Sequence, residues 1–223
     1  MRDDAQTSGQ TEERDLITRS QGGDRAAFNA LVTRYQGIAY ALALRMLGEP
    51  EAAADVTQEA FLSAFRHLGA FRGASFRAWL LRIVSNGCFD VFRARSRHPT
   101  TSLDALTEAG DGALASGNLD DARLPAPLTD AAWDPERAAL RRETIAAIEA
   151  ALLCLPAEQR LAVILSDVQG LPYEEIARVM ETPVGTVKSR IARARAHLRA
   201  LLDARGELSA SRERHAMGGD EER

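Results

Sequence analysis

One lysine, two cysteines and four histidines are all that this sequence offers of the residues most often used for covalent or metal chemistry. His67, His98, His197 and His215 fall into no ligand spacing, so neither a metal site nor a metal cofactor is expected. Cys88 and Cys154 lie far apart, each inside an apolar helical pattern, and read as buried thiols of a reducing cytosol rather than as a disulfide. No apolar run approaches the roughly 20 residues that a membrane span requires. The first stretch, MRDDAQTSGQTEERD, is too polar and acidic for a secretory signal or a transit peptide, which points to a cytoplasmic protein without membrane insertion. Aromatics make up only 5% of the residues, and strand-like alternation and internal repeats are both missing.

What is present favours helix. Alanine, leucine, arginine and glutamate dominate a composition that is 45% hydrophobic and 27% charged. The expected class is all-α, with two small helical domains on a flexible acidic tether. Residues 1–14 and 204–223 are polar and read as loose tails. Between them, 15–96 and 134–203 carry periodic apolar faces, and 97–133 does not. That separator holds Pro99, Pro125 and Pro127, three glycines and six carboxylates from Asp104 to Asp130, with Arg123 the one arginine among those carboxylates, and suits a linker. In the first block Phe28, Leu31, Val32, Tyr35, Ile38 and Leu42 recur at helical steps. Gly48 stops that helix, Pro50 opens the next, and Ser75 is placed to cap a third that carries Trp79, Leu80, Ile83, Val84 and Val91. Gly87 inside this third pattern is expected to weaken it. The second block has helix starts at Asp134-Pro135 and Leu155-Pro156, then a short helix 173–180. Glu181-Thr182-Pro183 follows as a tight turn, with Thr182 the expected cap of the last helix. Helix, three-residue turn, helix is the skeleton of a helix-turn-helix.

The last helix, TPVGTVKSRIARARAHLRALL, concentrates positive charge in a chain of formal net charge −4. At about 100° per residue, Val184, Val187, Ile191, Ala194, Leu198, Leu201 and Leu202 share one arc. Gly185, Ser189, Ala192 and Ala196 lie opposite, bordered by Lys188 and Arg199 on one edge and Arg193 on the other. Small residues flanked by cations let a helix enter a major groove while the long side chains reach bases and phosphates. A plain solvated basic face is the competing reading. It leaves unexplained the short preceding helix, the tight turn and the lack of bulk on the exposed arc. The overall negative charge predicts that the chain by itself holds DNA weakly, so either dimerisation or a larger partner must add affinity.

The segment EAAADVTQEAFLSAFRHL gives another pattern. Val56, Ala60, Phe61, Ala64 and Leu68 form its buried arc, whereas Asp55, Gln58, Glu59, Leu62 and Arg66 make a stripe on the other side. A leucine among carboxylates and an amide on an exposed stripe has the make-up of a protein interface, anchor and rim. Paired-carboxylate catalysis by Asp55 and Glu59 lacks a third ligand and a nearby base.

Taken together, GDRAAFNALVTRY, ADVTQEAFLSAF and FRGASFRAWLLRIVSN with its following Asp90 and Arg93 resemble region 2 of extracytoplasmic-function sigma factors of bacterial RNA polymerase. LPAEQRLAVILSDVQGLPYEEIARVMETPVGTVKSRIARARAHLRALL resembles their region 4. The resemblance spans both blocks in order. It implies a sigma factor without catalytic residues or cofactor, working with core polymerase, promoter DNA and an anti-sigma partner, and nucleoid-associated when active. It implies that Asp55, Gln58, Glu59 and Leu62 meet the core enzyme. Phe71, Arg72, Ser75, Asn86, Arg93, Arg95 and Arg97 would serve the non-template strand of the −10 element, with a flipped base trapped by the loop from Phe71 to Phe76. Thr186, Lys188, Ser189, Arg190 and Arg193 would serve the −35 duplex. Two features depart from the pattern: Pro172 stands where a capping serine is frequent, and Gly87-Cys88 replaces bulkier residues. A dimeric helix-turn-helix activator with a helical sensor domain is the alternative.

Overall fold

The computed structural model describes the backbone over residues 2–73, 75–97 and 135–217, and side-chain environments over 11–73, 75–97 and 142–204. The segment 98–133 expected to be a linker lies outside the described residues. All regular structure among the described residues is helical, as the composition predicts. The chain divides into two compact units, Met1–Pro127 and Leu128–Arg223.

The first unit contains α1 (Arg2–Gln21), α2 (Arg25–Leu47), α3 (Pro50–His67), a 3-10 turn (Leu68–Ala70) and α4 (Phe76–Arg97). Its helix ends follow local chemistry. Asp24 caps α2 by accepting from the N–H groups of Ala26 and Ala27, and Gly48 ends it at φ 78°, with its N–H donating to the Leu44 carbonyl. Pro50 opens α3, where a missing N–H costs nothing. Ser75 caps α4: its Oγ accepts from the Ala78 N–H at 3.2 Å. α2 lies against α1, α3 and α4, and their shared core contains Leu31, Leu42, Met46, Phe76, Leu80 and Leu81. Burying each such side chain is worth about 1.5–3 kcal/mol. Gly87 has a positive role that the sequence reading missed: a Cβ there would stand 3.0 Å from Val56 Cγ1, so its absence lets α4 close onto α3.

α1 corrects one expectation. Where 1–14 reads as a loose tail, the helix runs from Arg2 to Gln21. Uninterrupted by proline, it is tied to α2 where Tyr35 Oη donates to Glu13 Oε2 at 2.5 Å, and Ser20 is buried. Tertiary contact of this kind stabilises a helix whose own propensity is marginal.

The second unit contains α5 (Pro135–Leu153), α6 (Ala157–Val163) running into a π-helical turn (Ile164–Val168), α7 (Tyr173–Met180) and α8 (Val184–Met217). Pro156, Pro172 and Pro183 each sit just before a helix, with the carbonyl accepting from the N–H groups three and four residues on. α7 therefore starts where periodicity places it even without a capping serine. Thr182, by contrast, is not the cap of α8: its Oγ1 is buried without a hydrogen-bond partner, because Pro183 occupies the capping position one residue later. The tail expected from 204 is helical to Met217, since α8 has no proline to stop it once nucleated. Cys88 is buried as expected, and Cys154, one residue past the end of α5, is exposed.

Candidate functional site

On α3 the exposed arc is the expected one: Asp55, Gln58, Glu59, Leu62 and Arg66 all face solvent, while Val56, Ala60, Phe61 and Ala64 are buried. Leu62 is 44% exposed, and Phe65 beside it is 43% exposed, its ring edge-on to Phe28 at 5.0 Å. Phe65 escaped the sequence reading because its spacing fits either arc. Arg66 Nη1 meets Glu59 Oε1 at 3.3 Å. Both partners are largely exposed, so this ion pair contributes at most about 1 kcal/mol and leaves Glu59 available. Two carboxylates, an amide and two apolar groups thus form one continuous stripe.

Between α3 and α4, Phe71 is held by aromatics. Phe71 is buried, 5.0 Å from Trp79 and 5.9 Å from Phe76 between ring centroids, so its ring forms a wall under the loop. Arg72 is exposed, yet its Nη1 donates to the carbonyls of Gly69 and Phe71, at 2.7 and 2.8 Å. Asn86 projects outward one residue beyond the buried Ser85. At the end of α4, Arg93 pairs with Asp90 at 2.6 Å and Arg95 with Glu49 at 2.5 Å, while Arg97 Nε donates to the Arg93 carbonyl at 3.3 Å. All three are exposed and form a basic end that suits the helix dipole.

In the second unit α8 lies against α6 and α7 by burying Val187, Ile191 and Ala194. The opposite side presents Gly185, Ala192 and Ala196, with Lys188, Arg193 and Arg199 exposed around them. Ser189 is half-buried, its Oγ donating to the Thr186 carbonyl at 2.9 Å. Two cations of the stretch are engaged by carboxylates of the same unit instead. Arg190 pairs with Glu158 of α6, and Arg195 makes two bonds to Asp167, at 2.9 and 2.6 Å. The Arg195 hydrogen bond holds the Asp167 carboxyl below its ordinary value. The Lys188 ammonium stands 5.8 Å from the ring centre of Tyr173, a cation–π contact across the turn. Arg160, also unremarked in the sequence, is buried, with Nη2 donating to the carbonyls of Leu153 and Leu155; burial pulls its pKa down. These bonds fasten the end of α5 to α6. Among the described residues no cluster of histidine, cysteine and carboxylates could hold a metal. None of the described helices is long and apolar enough to cross a membrane.

The family models named sigma-70 region 2 and sigma-70 region 4 match residues 31–98 and 145–198. The chain belongs to the sigma-70 family. It is 41% identical over 191 residues to the RNA polymerase sigma-H factor of Pseudomonas aeruginosa, covering 83% of this chain and 91% of that one. It is 38% identical over 182 residues to the extracytoplasmic-function RNA polymerase sigma-E factor of Escherichia coli K12, covering 81% and 88%. Two solved structures are similar: CnrH in complex with the cytosolic domain of CnrY, at 29% identity and TM-score 0.57, covering 86% of this chain and 98% of that chain, and the sigma factor RpoE in complex with the anti-sigma factor NepR from Bartonella quintana, at 26% and 0.58, covering 79% and 96%. The protein is an RNA polymerase sigma factor of the extracytoplasmic-function type. The match of the first block to region 2 leaves the activator alternative unsupported, because that reading needs the first block to be a sensor domain.

Proposed function

We propose that this sigma factor meets core polymerase through Asp55, Gln58, Glu59 and Leu62 on α3, with Phe65 extending the contact. It reads the non-template strand of the −10 element with Asn86 and the loop Phe71–Phe76, where Arg72 and Ser75 shape the backbone and Phe71 supports it. Arg93, Arg95 and Arg97 exchange their exposed partners for phosphates. Lys188, Ser189 and Arg193 read the −35 duplex, with Thr186 at the N-terminal turn of α8, and Arg190 braces the helix through Glu158. Residues 15–96 serve as the core-binding and −10 unit and 134–203 as the −35 unit, joined by 97–133.

The observation that carries this reading is the presence in one acidic chain of an acidic–apolar stripe and, on another unit, a small-residue strip ringed by cations. An isolated chain of net charge −4 holds few phosphates, and the core enzyme supplies the missing affinity. The protein acts in the cytoplasm, on the nucleoid when bound to core, by binding and strand separation without covalent chemistry of its own. The similar structures solved in complex with the cytosolic domain of CnrY and with the anti-sigma factor NepR suggest an anti-sigma partner here too. Transcription reconstituted with sigma-free core on a random promoter library tests the whole reading. The expected result is core-dependent transcripts from fixed start sites that share two spaced elements. Failure to associate with core in any mild buffer would overturn it.

A further inference from the structure

The turn that leads from α3 into the loop is held from outside its own sequence. Leu68 and Phe71 bury their side chains, but the direction of their carbonyls is set from α1. Gln21 Nε2 donates to the Leu68 carbonyl at 3.0 Å and to the Phe71 carbonyl at 3.0 Å. Both partners are acceptors, so the amino end of the amide is the end that must face them. From the other side Arg72 donates to Gly69 and Phe71, and the Phe71 N–H closes back onto the Leu68 carbonyl at 3.0 Å. Gln21 works from a fixed base. Arg19, two residues before it, grips Asp24 at 2.7 Å, the same carboxylate that caps α2. Glu13, two turns earlier, is held by Tyr35.

We propose that Gln21 is a positioning residue for the −10 loop, fixing the carbonyls of Leu68 and Phe71 so that Arg72, next in the chain, meets a strand in one pose. The proposal rests on the −10 reading above. Its physical basis is preorganisation: a loop already held in its binding pose loses less entropy on capture. Apolar anchoring alone fixes where Leu68 and Phe71 sit and leaves their peptide planes freer to turn. Gln21 belongs to none of the sequence motifs, because its partners lie 47 and 50 residues away.

The test uses holoenzyme made with core polymerase and a single-stranded non-template oligonucleotide from a promoter the wild type transcribes. Gln21→Leu keeps the side chain's bulk and removes its donors. Strand capture is expected to weaken about tenfold, the effect of losing roughly two net hydrogen bonds' worth of ordering, with core affinity and −35 duplex binding unchanged and the melting temperature lowered by only a few degrees, since the same two bonds also contribute to the folded state. Gln21→Lys, which still donates, is expected to recover most of the capture. In the free chain with a Trp133→Phe background, Gln21→Leu is also expected to open Trp79, whose ring lies tilted against Phe71 at 5.0 Å, to a fluorescence quencher. Undiminished capture in Gln21→Leu overturns the proposal, as does a parallel fall in core affinity and melting temperature. Asn86→Ala separates the two readings: if it alone loses capture, only the role of Gln21 fails, and if neither variant does, the −10 reading fails with it.

Discussion

At the residue scale, exposure separates the side chains that hold the fold from those free to meet a partner. Asp55 and Glu59 make no contact that the fold needs beyond the exposed pair with Arg66. Reversing both to arginine is therefore expected to change stability by less than about 1 kcal/mol. It should abolish comigration with core polymerase in gel filtration while the helical circular dichroism stays intact. The two thiols differ in the same way. Burial pushes Cys88 up to about 12, whereas Cys154 is exposed. Iodoacetamide at mildly alkaline pH is expected to label Cys154 alone in the native chain and both cysteines in urea, as peptide mass mapping would show. Asp167 gives a pH signature. Its carboxyl is held below the ordinary 3.8, chiefly by the Arg195 hydrogen bond. The folded state thus gains stability from it above that value and loses the gain as pH falls through the depressed one. Unfolding free energies of wild type and Arg195→Gln from urea titration should differ by about 1 kcal/mol or less at pH 7 and converge on acidification, the pair being partly exposed.

At the element scale, close approach of helices matters more than propensity. Gly87 lowers the intrinsic stability of α4 but leaves room for Val56 on α3. Gly87→Val is expected to cost about 1–3 kcal/mol in urea denaturation by overpacking. Val56→Ala in the same chain should return part of that loss; additive losses would show that the two positions do not share one contact. Packing also sorts the side chains of α8, the helix proposed to read the −35 duplex. Its cations divide into those that brace it, Arg190 and Arg195, and those left around the small-residue strip, Lys188, Arg193 and Arg199. Lys188→Ala is expected to weaken −35 binding by holoenzyme and reduce its salt slope by about 1, while Arg195→Gln weakens it with the slope unchanged.

At the scale of the whole molecule, the proposed function combines surfaces that are each expected to bind weakly alone. The formal charge of −4 makes unaided DNA binding poor, and the same chain with core is expected to protect a promoter at nanomolar concentration in footprinting. Much of this was legible in the sequence. Three- and four-residue spacing placed the cores of α2, α3 and α8, and proline and glycine marked the boundaries at Gly48, Pro50 and Pro183. Residue type and period also determine that α3 exposes carboxylates beside a leucine and that α8 exposes small residues among cations, because a helix turns by a fixed angle per residue. What only the tertiary structure decided depends on neighbours distant in the chain. It made α1 a helix docked on α2, emptied the cap expected at Thr182, exposed Cys154, and paired Arg190 and Arg195 with carboxylates of the same unit. It also set Gln21 against two carbonyls that no local pattern connects to it. Periodicity fixes which way a side chain leaves its own helix, and only packing determines what it finds there.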